Sequence, residues 1–451
     1  MLKIIVTIIL FTAFFPVCRA QTIISEDVRN NIKLRVDNGI NTGIVVGIID
    51  GDETAYFSYG VRSLIGKEPV DEHSVFEIGS ITKTFTGIIL ADWVIKGKMN
   101  LDDPIQKYLP EGITAPTRNG ASIKLVHLSN HTSSLPRMPN NFNPANPANP
   151  FADYSEKQLY DFLESYELPR DIGSQYEYSN YAAGLLGHIM ATSEGKTYEA
   201  LMIDVIARPL GMKDTRIAFT PNMKKNLAMG HSGGAQVENW DLISLAGAGA
   251  IRSTAVDMLN YVRANMGSAK SKLYPAMQLS HKNSRADGAT PMVGLGWHIG
   301  AADGLELVWH NGGTGGYRTF AGFLKGGNKG VVVLSNSNAS VDDIGMHLLN
   351  SKVPLTEIVK EISVTAETLE SYVGKYELAP GFILILTRDG NQLKAQATGQ
   401  PQVPVFAKSA NVFFYKVVEA QLMFNKNAEG IVESVTLHQG GRDLVGKKLK
   451  E

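Results

Sequence analysis

A serine and a lysine three residues apart, Ser80 and Lys83, are the pair in this sequence best suited to nucleophilic chemistry. Apolar residues follow at helical spacing, so the pattern predicts that Ser80 lies in the first turn of a buried helix. Residues three apart are neighbours on a helix, which brings the Lys83 amine to the Ser80 hydroxyl. A lysine half-buried among apolar side chains has a lowered pKa and can activate a serine as its base. Backbone N–H groups at the helix start favour an oxyanion there.

The same spacing recurs at Ser193 and Lys196, where Gly195 and a polar turn indicate only a helix end. The pair at Ser80 therefore needs partners elsewhere in the chain before it predicts an active site.

Tyr178 and Asn180 are candidate partners. They stand two residues apart in a non-periodic stretch before a predicted helix, so both side chains can face one cleft. A phenol beside the Lys83 amine can shuttle protons, and an amide offers a donor and an acceptor to a substrate. Aromatic residues before a helix are also typical core residues, and this alternative stays open on these residues alone.

A third group begins at His310. The predicted strand over 305–309 runs into this histidine and then into small residues that include Gly312 and Gly313. Small residues leave a strand edge open to a substrate backbone, and the Gly313 N–H is a candidate second oxyanion donor. The alternative is a glycine-rich hairpin turn that carries an incidental histidine.

Ser80-x-x-Lys83, Tyr178-x-Asn180 and His310-x-Gly312, in this order, resemble the motifs of the penicillin-recognising serine hydrolases. Within that family the sequence is most similar to the branch that holds class C β-lactamases, D-alanyl-D-alanine carboxypeptidases, D-aminopeptidases and related esterases. The resemblance covers about residues 30–350 and extends to these further stretches: 76–83, 128–136, 208–212 and 309–316.

The resemblance implies that Ser80 is the acylated nucleophile and that Lys83 and Tyr178 transfer protons, without deciding which of these two is the base. It further implies that Asn180 holds a substrate amide, and that the N–H groups of Ser80 and Gly313 form an oxyanion hole. No metal and no cofactor take part in this chemistry. The implied partner is a small-molecule or peptide substrate.

His310 departs from the β-lactamases of this branch, which carry a lysine at that position. A lysine is a permanent charge for a substrate carboxylate, whereas a histidine with a pKa near 6.5 is only partly charged at neutral pH. His310 with Gly312 and Gly313 is still expected to bind substrate, but the change argues against efficient β-lactam turnover. The expected activity is hydrolysis of a β-lactam, a D-amino-acid peptide or an ester; a carboxylesterase and a non-hydrolysing penicillin-binding sensor are the alternatives.

For residues 21–352 the resemblance implies an α+β fold, with an antiparallel sheet flanked by helices and an all-helical subdomain. The Pro/Asn tract over 139–150 can form neither helix nor sheet ladder. Its composition alone favours a plain surface insertion, and the alternative is a loop that lines a substrate cleft. Arg137 and the region near Trp240 are expected to shape the same pocket.

Residues 353–366 are interpreted as a helical linker that contains Pro354. Short β-rich runs separated by turns then predict a small all-β domain over 367–451, which resembles the lipocalin-like barrel appended to some of these hydrolases. Its expected role is packing or contact between copies of the chain in a homo-oligomer. A lid over the active site is the alternative.

Residues 1–20 have the layout of a secretory signal peptide, with a basic start, an apolar run and a small residue at Ala20. Cleavage after Ala20 predicts a periplasmic or extracellular protein. A lipoprotein attached through Cys18 is the weaker alternative, because the residues before this cysteine are not small. No later run of eighteen apolar residues occurs, so no integral membrane span is expected after signal removal. Cys18 is the only cysteine.

The 451 residues carry 43 basic and 44 acidic side chains and are 44% hydrophobic, which is typical of a globular protein of about two domains. This balance argues against nucleic-acid binding. The stretch 230–234 matches the Gly-x-Ser-x-Gly elbow of α/β-hydrolases. That elbow needs a buried strand before it, and polar residues precede this one, so the match is rejected.

Overall fold

The computed structural model describes residues 23–285, 289–358, 361–415, 418 and 420–449. The chain forms two compact units. The first comprises Asn41–Leu355 and the residues before Leu34, and the second comprises Thr356–Glu451 and Leu34–Ile40. The predicted signal peptide and Cys18 lie outside the described residues. No helix within the described ranges combines the length and apolar character that a membrane span requires.

Most helices lie in the first unit. The helices, of which α12 lies in the second unit, are α1 Glu26–Asp37, α2 Thr82–Ile95, α3 Leu125–Ser129, α4 Glu156–Ser165, α5 Asn180–Ser193, α6 Tyr198–Met202, α7 Pro221–Lys225, α8 Ala246–Gly249, α9 Ala255–Met266, α10 Tyr274–Ser280, α11 Asp342–Leu349 and α12 Ala366–Tyr372. Hydroxyl side chains cap several of these helices. Ser179, for example, accepts a hydrogen bond from the Ala182 N–H at 2.9 Å and so fixes the start of α5.

The strands of the first unit are β1 Gly43–Asp50, β2 Glu53–Gly60, β3 Phe76–Glu77, β4 Thr117–Arg118, β5 Ala121–Ser122, β6 His231–Ser232, β7 Ala235–Gln236, β8 Arg252–Ser253, β9 Met292–Val293, β10 His298–Ala302, β11 Leu305–Gly313, β12 Arg318–Lys325 and β13 Lys329–Ser335. Seven form one antiparallel sheet in the order β2-β1-β13-β12-β11-β10-β9, and the others pair as short ribbons. Strand β1 lies second from one edge of the sheet, between β2 and β13.

Both faces of the sheet are covered. Successive side chains on a strand point to opposite faces, and in β1 Val46 joins a cluster with Val28 of α1 and Ile344 of α11. Val45 joins the larger cluster on the other face, which includes α2 and α9. Because both sides are packed, β1 is apolar at nearly every position instead of alternating with polar residues.

Helix α2 lies at the centre of the helical part of this unit. It is buried from Thr82 to Trp93 and packs against α5, α8 and α10. A helix that is apolar on all sides requires such an environment. The predicted α+β fold, a sheet with flanking helices and a helical subdomain, is confirmed.

The second unit is a closed antiparallel barrel. Its strands are β14 Gly374–Ala379, β15 Phe382–Asp389, β16 Gln392–Ala397, β17 Val403–Ala407, β18 Val412–Tyr415, β19 Ala420–Lys426, β20 Val432–Gln439 and β21 Arg442–Lys448. Each strand pairs with the next, and β21 returns to β14 to close the ring. The predicted all-β C-terminal domain is confirmed.

The predicted helical linker is wrong. Residues 353–358 and 361–365 carry no helix. Pro354 lacks an N–H and restricts the residue before it, which disfavours helix at the start of this segment. The helix begins only at Ala366, where the Thr365 hydroxyl accepts the Thr368 N–H at 3.3 Å.

Candidate active site

Ser80 lies in a single 3₁₀ turn, Gly79–Ile81, which leads directly into α2. Gly79 has a φ of +52°, a conformation that favours glycine. The sequence predicted Ser80 in the first helical turn, and the structure places it one turn earlier. The side chain is half-buried and lines a cleft.

Lys83 is buried beside Ser80, and its amine has three oxygen neighbours. The Nζ atom lies 3.0 Å from the Ser80 Oγ, 2.9 Å from the Asn180 Oδ1 and 2.7 Å from the Ala248 carbonyl oxygen. A carbonyl and an amide oxygen can only accept hydrogen bonds. If the amine is neutral, its two N–H groups serve these two acceptors and its lone pair faces the serine hydroxyl.

The surroundings favour that neutral form. Burial, with a smaller contribution from the Arg137 guanidinium, holds the pKa of Lys83 well below its usual value. The geometry and the charge state therefore agree: the Lys83 amine can receive the Ser80 proton.

Tyr178 stands over the same pair. Its ring centroid lies 4.8 Å from the Lys83 Nζ and 5.1 Å from the Arg137 guanidinium carbon. Burial raises the pKa of the Tyr178 hydroxyl above its usual range, and a hydrogen bond with Ser80 offsets only part of this rise. The lowered pKa of Lys83 and the raised pKa of Tyr178 both favour Lys83 over Tyr178 as the acceptor of the serine proton.

Asn180 is the first residue of α5. Its Oδ1 faces Lys83, so its Nδ2 is directed elsewhere, with the Met138 sulfur 3.7 Å away. The Asn180 side chain lines the cleft. An amide held in this way presents its N–H₂ group to a substrate carbonyl.

The glycine-rich end of β11 is in backbone contact with the serine turn. A Cβ atom placed on Gly312 would lie 2.0 Å from the Ile78 carbonyl oxygen, and one placed on Gly79 would lie 2.7 Å from the Gly313 nitrogen. This closeness brings the backbone of Gly313 next to the turn that carries Ser80. Both sides can contribute N–H donors to one oxyanion.

Gly312→Ala is expected to force β11 away from the serine turn. Overpacking of this kind costs about 1–3 kcal/mol of folding stability. Separation of β11 from the serine turn should lower kcat more than it raises KM. Chemical denaturation and steady-state kinetics measure both effects. Gly300→Ala in β10 is the matched control, because a Cβ atom there meets nothing within 4 Å. Equal effects of the two substitutions would contradict the close contact.

His310 lies beneath the cleft instead of on its surface. Only 1% of it is exposed, its ring centroid lies 6.2 Å from that of Tyr178, and its Nδ1 atom lies 2.5 Å from the Asn311 carbonyl oxygen. Burial first, and His298 and Lys83 next, hold the pKa of His310 well below its usual value. His310 is therefore neutral in this position and lies beside the Tyr178 ring.

His298 lines the cleft beside His310, and the sequence analysis did not identify it. The His298 and His310 rings are stacked at 4.7 Å, and burial lowers the pKa of His298 to about 4.

The cleft has a volume of about 670 Å³. Aromatic and proline side chains of the Pro/Asn region form one wall; they are Phe142, Pro150 and Phe151. Asn149 fixes this wall through two hydrogen bonds with Asp241, at 2.9 and 2.8 Å. The expectation of a plain surface insertion is wrong, because the tract is tied down and lines the cleft.

Two guanidinium groups also line the cleft, those of Arg137 and Arg318. Arg318 is paired in register with Gly313 and its guanidinium packs on that glycine. Its Nη1 donates to the carbonyl oxygens of Thr314 and Tyr317 at 3.0 and 2.9 Å. A permanent cation thus stands next to the proposed oxyanion donor.

His131 also positions the site. It is buried with a φ of +62°, its Nδ1 accepts the Ser179 N–H at 3.1 Å, and its ring lies 4.5 Å from that of Tyr178. The sequence indicated a role for His131 only through its position in the stretch 128–136, which resembles the family.

A buried ion pair, which the sequence analysis missed, supports the Trp240 side of the cleft. Glu77 Oε1 accepts the Trp240 N–H at 2.9 Å, and Arg252 Nη2 donates to the Trp240 carbonyl oxygen at 2.9 Å. The two side chains are each 3% exposed and lie 3.3 Å apart. Glu77 lies within the stretch 76–83 that resembles the family, but nothing in the sequence links it to Arg252, so only the tertiary structure reveals this pair.

Both parts of the chain match known protein families. The model of the family described as Beta-lactamase matches residues 28–351, and residues 359–448 match a domain of unknown function, DUF3471. The D-alanyl-D-alanine-carboxypeptidase/endopeptidase AmpH of Escherichia coli K12 is 31% identical over 308 residues, which are 65% of this chain and 79% of that protein. A beta-lactamase of the same organism is 27% identical over 374 residues, covering 75% and 95%.

Solved structures show the same relationship. The beta-lactamase/D-alanine carboxypeptidase from Yersinia pestis, in complex with citrate, superposes with a TM-score of 0.61 at 26% identity and covers 71% of this chain and 93% of its own. The class C beta-lactamase from Rhodobacter sphaeroides gives 0.62 at 22% identity, covering 72% and 98%, and shows the shared fold. The chain belongs to the beta-lactamase family and is a serine hydrolase.

Proposed function

We propose that this protein hydrolyses an amide or an ester through an acyl-enzyme on Ser80. The observation that carries the proposal is the environment of Lys83. Its buried amine contacts the Ser80 hydroxyl while two other acceptors, on Asn180 and Ala248, use its remaining hydrogens. This arrangement supports a neutral lysine as the base.

In the first half-reaction the Ser80 Oγ attacks the carbonyl carbon as its proton moves to the Lys83 Nζ. The N–H groups of Ser80 and Gly313 stabilise the oxyanion. The Tyr178 hydroxyl passes a proton to the leaving nitrogen or oxygen as the bond to it breaks, and is reprotonated from Lys83. In the second half-reaction water attacks the acyl-enzyme ester, and the proton that water loses returns through the same two side chains to the Ser80 Oγ.

The substrate class follows from the charges of the cleft. His310 is neutral and buried, so β11 offers no side-chain cation of its own. Arg318 supplies one beside Gly313, which favours a substrate that bears a carboxylate near the scissile bond. Asp342 also lines this end, but the Asn311 amide engages its carboxylate at 2.7 Å. We therefore favour a peptide ending in a D-amino acid over a neutral ester.

Arg318→Met is expected to lower kcat/KM for an N-acyl-D-alanyl-D-alanine peptide by roughly 10- to 100-fold, the value of a lost hydrogen bond to a charged group. The C-terminal amide of the same peptide has no carboxylate to contact Arg318, so its kcat/KM should change much less. Arg208→Met, at an exposed arginine paired with Asp204, is the control. Equal losses for the acid and the amide would contradict a carboxylate site at Arg318.

A panel of three substrates separates the candidate activities: the D-alanyl-D-alanine peptide, benzylpenicillin and p-nitrophenyl acetate. The proposal expects the peptide to have the highest kcat/KM. Turnover of the ester alone would favour a carboxylesterase, and a stable penicillin adduct without turnover would favour a sensor. We further propose that residues 1–20 direct secretion, which N-terminal sequencing of the exported protein tests, with Gln21 expected as the first residue.

A further inference from the structure

The barrel of the second unit is filled at one end. Helix α12 leads into β14 there and buries Leu369 and Tyr372 against the barrel core. The rings of Tyr372 and Phe424 are stacked with centroids 4.0 Å apart, and Phe413 meets Phe424 edge to face at 5.5 Å. Large side chains therefore close this end.

The opposite end is lined by small residues. The inward-facing positions near the end of β16 and the start of β19 are occupied by Ala395, Ala397 and Ala420. Ala397 is paired in register with Leu384. The interior of an eight-stranded barrel is just wide enough to be filled by side chains or to hold one small ligand. Here the alanines leave a cavity of about 440 Å³, within the range of small-molecule sites.

Among the residues that the structure describes, the lining of this cavity is apolar inside and uncharged at the mouth. Phe382, Val403 and Leu437 form walls with the alanines, and exposed Gln400 and Gln439 lie at the rim. None of the described lining residues carries a formal charge. An ionic ligand would therefore lose its hydration without gaining a counter-charge.

Tyr415 adds one hydroxyl to this lining. Burial raises its pKa to about 12, so the group is neutral at physiological pH. A neutral hydroxyl can donate or accept a hydrogen bond.

We propose that the barrel binds one uncharged amphipathic small molecule, whose apolar part fills the alanine-lined end and whose polar end is hydrogen-bonded by the amides of the rim. The proposal concerns the barrel alone and does not depend on the reaction at Ser80.

The test is fluorescence titration of the full-length protein with N-phenyl-1-naphthylamine, a neutral apolar probe, followed by competition. We expect saturable one-site binding, displaced by 1-decanol at far lower concentration than by decanoate or decyltrimethylammonium, all below their micellar range. Ala397→Trp fills the cavity and should raise the probe Kd by roughly tenfold or more. Lys375→Trp puts the same aromatic group on the exposed outer face of β14 and should leave the Kd unchanged.

Thermal unfolding and circular dichroism, measured on both variants, establish that the protein is folded. Unaltered binding by a folded Ala397→Trp protein would overturn the proposal, as would absence of saturable binding or equal displacement by the three competitors. Should Ala397→Trp fail to fold, Leu437→Trp serves as the second cavity-filling variant under the same criteria.

Discussion

Ser80→Ala is expected to abolish acylation and to lower kcat by roughly 10⁴-fold or more for every substrate that the enzyme turns over. The loss follows because no other hydroxyl occupies the position of its Oγ, 3.0 Å from the Lys83 Nζ. Steady-state kinetics on the three-substrate panel measures the effect. KM for a substrate that still binds should change far less than kcat.

Ser193→Ala is the matched control, since Ser193 and Lys196 repeat the Ser-x-x-Lys spacing. There the lysine pairs with Asp204 at 2.8 Å, and the serine hydroxyl donates to the Ile189 carbonyl oxygen. This variant should keep the wild-type rate within about twofold. Full activity in Ser80→Ala would show that Ser80 is not the nucleophile.

Lys83→Met is expected to lower kcat by about 10²- to 10⁴-fold, the usual contribution of general acid–base catalysis. Methionine keeps the buried apolar volume but cannot accept the serine proton. Lys196→Met is the control and should leave kcat unchanged. An unaltered rate in Lys83→Met would eliminate lysine as the base and leave Tyr178.

The pH profile gives a second readout for the same residue. Lys83 acts when neutral, so kcat/KM should rise with pH through the pKa of Lys83 and reach a plateau above it. Because burial lowers the pKa of Lys83 and raises the pKa of Tyr178, the plateau should begin well below the usual pKa of a lysine and extend above the usual pKa of a tyrosine. Lys83→Met should lose the acidic limb of this profile. A limb that persists in the variant would assign it to another group.

Local sequence patterns predicted much of this fold for physical reasons that can be identified. An apolar run indicated strand β11, and the apolar period after Ser80 indicated α2. The segment that contains Pro354 was interpreted as a helical linker, although proline disfavours helix there. Strands β14, β17 and β21 were not predicted. In β21 only one of the strand residues is buried, so the apolar signal there is weak.

The residues of the site were likewise predictable only in part. Ser80, Lys83, Tyr178 and Asn180 were found because each belongs to a short motif, and the structure brings their side chains to one cleft. The roles of Arg318, His131 and the Glu77–Arg252 pair depend on contacts between segments far apart in the chain. No local pattern encodes such contacts, and the burial that shifts the pKa of His310 is equally a property of the whole fold.

The most direct test of the account is intact-mass analysis during turnover, with the full-length protein quenched at successive times after addition of benzylpenicillin or of an N-acyl-D-alanyl thioester. The account predicts one acyl group per chain, located by peptide mapping on the segment that contains Ser80, and none in Ser80→Ala. An acyl group on any other residue, or the same mass increase in Ser80→Ala, would contradict it.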